Sequence, residues 1–244
     1  MSVNSKMTAI ADEIRSKTGL SDELTLEQMV IDIAAIPTQP VNVPDYVMQE
    51  AERVADAVKS IQNSNTISFI ALADIHTQPD YQDSILHMAQ ATNIIKGKIP
   101  IDFTAVLGDV VYGASTDTYD EHMKNLLTSV RILSIANPDI RLDGNHDSNI
   151  YVADISLAPS ELHRYTYRFN NPNVVAGDTE RGYFHYDMED SKIRVICVNS
   201  ADLKDISPNS PQNGHHVSAE QLAWLVDTLD MTGLDEWGVI VLAH

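Results

Sequence analysis

Three short polar clusters recur along the chain, and each one follows a strand-like stretch, which is apolar before the first two clusters and short and polar before the third. They read Asp74-Ile75-His76, Gly108-Asp109 and Gly144-Asn145-His146-Asp147. The intervals between them are about 35 residues, enough for one strand, one crossover helix and the connecting loops. Because the carboxyl ends of parallel strands meet at one edge of an α/β sheet, side chains at those ends come together. The pattern therefore predicts an α/β domain with all three clusters at a single edge.

The elements around the clusters follow from the periodicity of the apolar residues. Helices are predicted at 45–61 with Asp45 as the cap, at 82–96, at 117–136 and after a cap at Ser218. Strands are predicted at 66–73, 101–107, 140–142, 183–188, 193–199 and 238–243. The strands 183–188 and 193–199 are expected to pair as a hairpin, which would make the sheet mixed. Residues 149–182 are rich in Tyr, Asn and Pro and are predicted to be an irregular excursion near the site.

The residue types in the clusters are those that bind divalent metal ions. Carboxylate, carboxamide and imidazole groups are hard or borderline ligands, and together they suit Mn, Fe, Zn or Co. One carboxylate can bridge two such cations about 3.5–4 Å apart. A further imidazole, His244, follows the apolar run 238–243. The sequence therefore predicts a pair of divalent metal ions, whose identity the ligand types do not decide.

The order of these motifs resembles that of the calcineurin-like metallophosphoesterases: D-x-H, G-D, G-N-H-[D/E], a histidine after a strand, and finally G-H-x-H. The resemblance extends over residues 66–244 and implies a layered α/β/β/α sandwich with mixed sheets. It implies that Asp74 and His76 bind one metal and that Asp109 bridges the pair. Asn145 and His244 would bind the second metal.

The same resemblance implies hydrolysis of a phosphomonoester or a phosphodiester by a hydroxide that the metals activate. A metal can lower the pKa of its bound water to about 7. His146 is the candidate to stabilise the developing charge and to protonate the leaving oxygen. Asp147 is expected to accept a hydrogen bond from that imidazole and so to hold it in a useful tautomer.

Taken singly, each of these residues also has an ordinary structural explanation. An Asp at a strand end is often a turn or cap residue, and Asn145 after Gly144 could occupy a left-handed turn position. The joint order of the motifs favours a metal site. Among the other candidates, 214–216 is predicted to be a polar loop and Tyr112 to lie close enough to line the pocket. Three histidines are expected to have no role: His87 and His122 on exposed helix faces, and His185 as a sheet residue.

The closing G-H-x-H motif has no counterpart after His244. Its absence predicts that the chain is a fragment of a longer protein and that the last strands of the sheet are missing. The loss of an imidazole from each metal would then impair this chain relative to its parent.

Residues 1–36 are predicted to be a separate helical segment, followed by a Pro-containing linker at 37–44 and the main domain at 45–244. Two short helices with apolar positions at helical spacing cannot bury those positions alone. The segment resembles the N-terminal piece of tail-associated structural proteins in phages and prophages of Gram-positive bacteria. That resemblance implies self-association or tail-protein partners. The alternative is a helical extension folded onto the main domain.

The chain is strongly acidic, with 16 Lys and Arg against 35 Asp and Glu and a net charge of −19. Proteins that bind nucleic acids or anionic membranes neutralise phosphates with basic residues, so general binding of either kind is not expected. A phosphate substrate would instead be attracted by bound cations. No signal peptide and no apolar run of about 20 residues is found, which predicts a soluble protein of the cytoplasm or of a virion, without membrane insertion.

Two functions from different classes remain open on the sequence. The first is the metal-dependent phosphoesterase, carried on a tail-associated protein. The second is a structural or host-surface-binding module that keeps the fold without turnover. A binding module has no need of a proton donor beside a metal pair, so the presence of His146 favours the enzyme.

Overall fold

The structure is a computed structural model of the chain and describes residues 42–78, 82–113, 118–148, 174–178, 181–200, 217–230 and 235–244. The chain divides into two units, Met1–Val43 and Pro44–His244, and every element described belongs to the second. The predicted helices of residues 1–36, most of the linker and the loop 214–216 lie outside the described residues. They stay predictions.

The first sheet consists of three parallel strands in the order β1-β2-β3. Strand β1 is Phe69–Leu72, β2 is Phe103–Val106 and β3 is Ile140–Arg141. Helix α2, Gln82–Lys98, connects the first two strands, and helix α3, Tyr119–Leu133, connects the second pair. All three strands therefore point their carboxyl ends, and the polar clusters that follow them, toward one edge, as the spacing predicts.

Helix α3 begins at a capping box. Thr118 accepts a hydrogen bond from the main-chain N–H of Glu121, whose side chain reaches back to the N–H of Thr118. This reciprocal bonding satisfies two of the N–H groups that a helix start leaves unpaired. Helix α1, Asp45–Lys59, begins differently from the prediction, because Pro44 is its N-cap and Asp45 lies in the first turn. A proline before the first turn presets the backbone there, and no side-chain cap is formed.

The second sheet has four strands in the order β4-β5-β6-β7. They are β4 Val174–Asp178, β5 Tyr183–Met188, β6 Ile193–Val198 and β7 Gly238–Ala243. The antiparallel pair β5 and β6 and the parallel pair β6 and β7 confirm the hairpin and the mixed sheet. The prediction of an irregular segment up to residue 182 was wrong for β4, which pairs antiparallel with β5. Pairing with a neighbouring strand satisfies its main-chain groups even though its sequence has a weak strand signal.

The two sheets pack face to face around one hydrophobic core. The first sheet contributes Phe103, Ala105, Ile140 and Leu142, and the second contributes Phe184, Tyr186, Val195, Cys197 and Leu242. The single cysteine, Cys197, is thus a buried hydrophobe, and burial raises the pKa of its thiol.

Helices cover the outer faces of both sheets. A second core cluster joins strand β2 and the loop after it to helices α2 and α3, through Val106, Val110, Val111, Ile85, Met123, Leu126 and Leu133. On the other side, helix α4, Ala219–Leu229, places Trp224 with its ring centroid 4.9 Å from that of Tyr183. The layers are therefore α/β/β/α, which confirms the predicted fold class. Within the described residues, no helix has both the length and the apolar character needed to span a membrane.

Candidate metal centre

The loops that follow β1 and β2 run side by side beyond the ends of their strands. The N–H of Asp74 donates to Gly108 O at 3.2 Å, and the N–H of His76 donates to Asp109 O at 2.9 Å. The N–H of Thr77 continues the series with a bond of 2.9 Å to Val110 O. Main-chain bonding therefore holds the first two polar clusters against each other.

Three of the predicted metal ligands have a left-handed backbone. Asp74, His76 and Asp109 have φ values of 53°, 50° and 51°. Non-glycine residues rarely adopt this conformation, which costs on the order of 1–3 kcal/mol at each position. The surrounding hydrogen bonds maintain the conformation, and it directs three polar side chains toward one place. Asn145 is not among the residues with positive φ, so the explanation of Asn145 as a left-handed turn residue was wrong.

Two glycines allow the second and third loops to touch. A Cβ atom on Gly108 would lie 2.5 Å from Gly144 N, and one on Gly144 would lie 2.0 Å from Asp109 Oδ1. Both distances are far shorter than van der Waals contact. The glycines before Asp109 and Asn145 are therefore required by the close approach of the two loops.

The carboxylate of Asp109 lies at the centre of the site and is only 3% exposed. Its Oδ2 atom is 3.5 Å from Nε2 of His76 and 3.2 Å from Nε2 of His244. Its Oδ1 atom accepts a hydrogen bond of 3.0 Å from the main-chain N–H of His146. Burial works to raise the pKa of this carboxyl, but the bonds from His244 and His146 outweigh it and hold the pKa below its ordinary value. Asp109 is therefore an anion with one oxygen between two imidazoles.

His244 connects the second sheet to this carboxylate. Its Nδ1 atom is 2.9 Å from Leu107 O, and its Nε2 atom is 3.1 Å from Asn145 Oδ1. A carbonyl oxygen only accepts, so Nδ1 carries a proton and Nε2 is directed at the site. The bond to Asp109 raises the pKa of His244 against the effect of burial. A bound cation would replace the proton on Nε2, so metal binding here would release a proton.

Within the described residues, two groups of side chains could each hold a metal ion, and both include Asp109. One group is His76, Asp109 and His146, and the other is Asp74, Asp109 and His244. In each group the ligand atoms lie within 4.8 Å of one another. These groupings differ from the implied assignment, which placed Asp74 with His76 and kept His146 for proton transfer. Carboxylate oxygens and imidazole nitrogens, with Asn145 beside them, fit divalent Mn, Fe, Zn or Co.

His146 and Tyr112 form the exposed side of the site. Nδ1 of His146 is hydrogen-bonded to the main-chain oxygen of Tyr112. Tyr112 is 47% exposed, and its ring centroid lies 5.7 Å from that of His146 and 5.9 Å from that of His76. The prediction that Tyr112 lines the site is confirmed.

Within the described residues, the Asp147 carboxylate does not form the expected bond to the His146 ring. The Asp147 carboxylate, 2% exposed, instead accepts hydrogen bonds from the N–H groups of Val110, Val111 and Gly144. Burial raises the pKa of this carboxyl to about 6, although the N–H donors oppose the rise. Three main-chain donors in a buried turn need an acceptor, and Asp147 provides it. Its role is therefore to join the second loop to the third.

Sequence reasoning missed two residues of helix α3. His122 was expected to be exposed, but it is 1% exposed and its Nε2 atom lies 2.7 Å from Asp147 O. Asn125 is also buried and donates from Nδ2 to Thr77 O at 2.9 Å. A signal was present, because His122, Asn125 and Ser129 recur at helical spacing beside the apolar Met123, Leu126 and Leu133. A polar stripe on a buried helix face indicates bonding to buried main-chain groups.

Comparison with known proteins gives one match to a protein family. The model of the calcineurin-like phosphoesterases matches residues 67–244, a range that includes every candidate ligand. No curated protein matches the chain.

Proposed function

Because the chain belongs to the calcineurin-like phosphoesterase family, we propose that it hydrolyses a phosphomonoester or a phosphodiester with two divalent metal ions. Membership of this family implies metal-dependent phosphoester hydrolysis. The observation that supports two metals is that both candidate ligand groups share Asp109. A carboxylate common to two sites offsets the repulsion between two cations, as in other two-metal hydrolases.

The residues that would hold the ions are Asp74, His76, Asp109, Asn145 and His244. His146 belongs to one of the two candidate ligand groups, but the proposal assigns it to proton transfer. Asp109 supplies the shared negative charge, and Leu107 O fixes the imidazole of His244 so that Nε2 faces the site. When bound, the ions neutralise phosphoryl charge and lower the pKa of water.

His146 would protonate the leaving oxygen of the substrate. The bond from its Nδ1–H to Tyr112 O sets the orientation of the ring, and the ring lies on the exposed side of the site. A proton donor must lie within hydrogen-bond reach of the departing atom, and this side is where a substrate can enter. The same residue also holds Asp109 through its main-chain N–H, so its backbone and its side chain have separate roles.

The test is the hydrolysis of bis-p-nitrophenyl phosphate with added Mn²⁺. We expect turnover that EDTA abolishes and that His146→Ala lowers by about 100-fold or more, the contribution of a general acid. His87→Ala is the matched control, because His87 lies on helix α2 and bonds to Tyr46 of helix α1, away from the metal-binding loops. Turnover that resists EDTA, or that His146→Ala leaves unchanged, would contradict the proposal. No turnover in any variant would favour the structural or binding module.

We further propose that residues 1–36 attach this domain to an assembly, either to a second copy of the chain or to a tail-type structural protein. The proposal is supported by the sequence of that segment, which has two short apolar helical patterns that need a surface to cover them. Light scattering of the purified chain on a sizing column tests self-association. A strictly monomeric mass over a wide range of protein concentration would exclude self-association and leave a tail-type structural protein as the proposed partner of residues 1–36.

A further inference from the structure

Helix α3 contacts the metal-binding loops through buried polar side chains that have no place in the proposed reaction. We propose that His122 and Asn125 are positioning residues, which set the metal affinity of the site by holding the loops that carry its ligands. The inference rests on the metal centre proposed above. It concerns residues that themselves lie outside both candidate ligand groups.

His122 holds the third loop. Its Nε2 atom lies 2.7 Å from the main-chain oxygen of Asp147, and the ring is 1% exposed. Since a carbonyl oxygen cannot donate, Nε2 must carry the proton, and His122 is a donor to this loop. The bonded residue is in the same turn as Asn145 and His146, so a shift of its main chain would move both.

Asn125 holds the first loop. One turn further along the same face of helix α3, its Nδ2 atom donates to Thr77 O at 2.9 Å. Thr77 follows His76 directly, is 2% exposed, and bonds through both its N–H and its hydroxyl to Val110 O. The bond from Asn125 therefore fixes the position of the loop that presents Asp74 and His76.

Asp147 completes the connection between the loops. Its carboxylate accepts bonds of 2.8 Å from Val110 N and 2.9 Å from Gly144 N, so it joins the loop after β2 to the loop after β3. Helix α3, the three loops and this carboxylate thus form one buried hydrogen-bonded network. Such networks rigidify their members when the bonds are made, and each lost partner leaves a costly unpaired group.

Rigid loops matter here because the ligands come from separate strands. A metal site needs its ligand atoms in place before binding, and removal of groups that orient the ligands typically costs about 10–100-fold in metal affinity. A similar loss of metal affinity is therefore expected when the side-chain N–H donor of His122 or of Asn125 is removed, although neither residue belongs to a candidate ligand group.

The experiment compares Mn²⁺ dissociation constants by isothermal titration calorimetry for the full chain and four variants. His122→Met removes the donor and keeps the bulk of the side chain, whereas His122→Gln retains an N–H at similar reach. Asn125→Leu removes the second donor. Ile196→Ala is the control, since Ile196 is a fully buried residue of strand β6 and lies outside the core cluster that contains Val110 and Val111. Its truncation destabilises the fold away from the loops that helix α3 holds. Melting temperatures of the metal-free proteins report the stability of each variant.

We expect His122→Met and Asn125→Leu to weaken Mn²⁺ binding about 10–100-fold, and His122→Gln to restore most of the loss. Ile196→Ala should lower the melting temperature at least as much and leave the dissociation constant within a few-fold of the wild type. The inference is overturned if affinity simply follows stability across the variants, or if His122→Gln binds as weakly as His122→Met. Mn²⁺ binding without hydrolysis would contradict the proposed function alone, while a wild-type chain that binds no Mn²⁺ would overturn both.

Discussion

At the scale of single residues, the geometry of the site depends on the close packing of neighbouring groups around the carboxylate of Asp109. One oxygen of Asp109 lies between two imidazoles, and the other oxygen is bonded to the main chain of His146. Gly144 lies against that second oxygen, so there is no space for a side chain. This position of the motif must therefore be glycine for a steric reason that the sequence alone does not show.

Gly144→Ala is therefore expected to disturb the site and the fold together. The new Cβ would lie 2.0 Å from Asp109 Oδ1, which must move, and overpacking of this kind costs about 1–3 kcal/mol of unfolding free energy. Urea unfolding measures that loss, and calorimetric titration measures the accompanying loss of Mn²⁺ affinity.

Gly97→Ala provides the matched control on helix α2. A Cβ on Gly97 has nothing within 4 Å, and alanine in a helix is favoured over glycine by up to about 1 kcal/mol. The control should be neutral or stabilising and should bind Mn²⁺ as the wild type does. Equal behaviour of the two variants would show that the contact at Gly144 is unimportant.

At the scale of elements, one ion-paired arginine connects the second sheet to helix α4. Arg194 on β6 makes two bonds of 2.8 Å to the carboxylate of Asp187 on β5 and a third, of 3.0 Å, to Thr228 O in the last turn of the helix. Both charged side chains are only 13% exposed, so solvent screens the pair weakly. The hydrogen bonds from Arg194 hold the pKa of Asp187 below its ordinary value.

The lowered pKa of Asp187 has a definite consequence for stability against pH. A carboxyl whose pKa is lower in the folded state stabilises the fold above its unfolded pKa, about 3.9, and loses that contribution as the pH falls through the folded value. Asp187→Asn should therefore cost about 1–2 kcal/mol at pH 7 and progressively less below pH 4. Urea unfolding of both proteins at several pH values measures the difference.

The exposed pair Glu52 and Lys98 serves as the control for this effect. Its side chains are 45% and 43% exposed, so Glu52→Gln should change stability little at any pH. A cost of Asp187→Asn that stays constant down to pH 3 would mean that the charge of Asp187 is not what stabilises this part of the sheet.

At the scale of the whole molecule, the metal centre joins two sheets. Asp109 follows a strand of the first sheet and His244 follows β7 of the second, so an ion bound between them would link both halves of the sandwich core. A ligand that binds only the folded chain stabilises it by about 2.7 kcal/mol at 100 times its dissociation constant.

Saturating Mn²⁺ should consequently raise the melting temperature by roughly 5–10 °C in a chain of this size. Differential scanning fluorimetry with and without EDTA measures the shift. Asp109→Asn removes the shared charge and should reduce the shift to a small fraction of the wild-type value. An equal shift in both proteins would place the stabilising Mn²⁺ elsewhere.

The net charge of −19 acts on the whole molecule as well. It repels an anionic phosphoester at long range, and added salt screens that repulsion, with a Debye length that falls from about 30 Å at 0.01 M to about 8 Å at 0.15 M. We expect kcat/KM for a phosphodiester to rise over this interval of NaCl concentration. A fall would indicate that the substrate is attracted by a local cationic surface.

The sequence alone was sufficient for the arrangement of strands and clusters. The α/β/β/α layers, which the family resemblance implied, are confirmed. The positions of Asp74, Asp109 and Asn145 after strand-like stretches predicted one site at one sheet edge, and the hairpin was also predicted correctly. Such features depend on local periodicity and on the geometry of parallel strands, which neighbouring residues determine. The helices of residues 1–36 and the tail-protein resemblance stay predictions.

Only the tertiary structure decided which groups bond to which. Local sequence placed His122 on an exposed helix face and paired Asp147 with His146, but burial gave both residues main-chain partners in the loops. The tertiary structure also showed that β4 completes the second sheet and that both candidate ligand groups share Asp109. These outcomes depend on buried donors and acceptors far apart in the sequence finding each other, because an unpaired polar group inside a protein is costly.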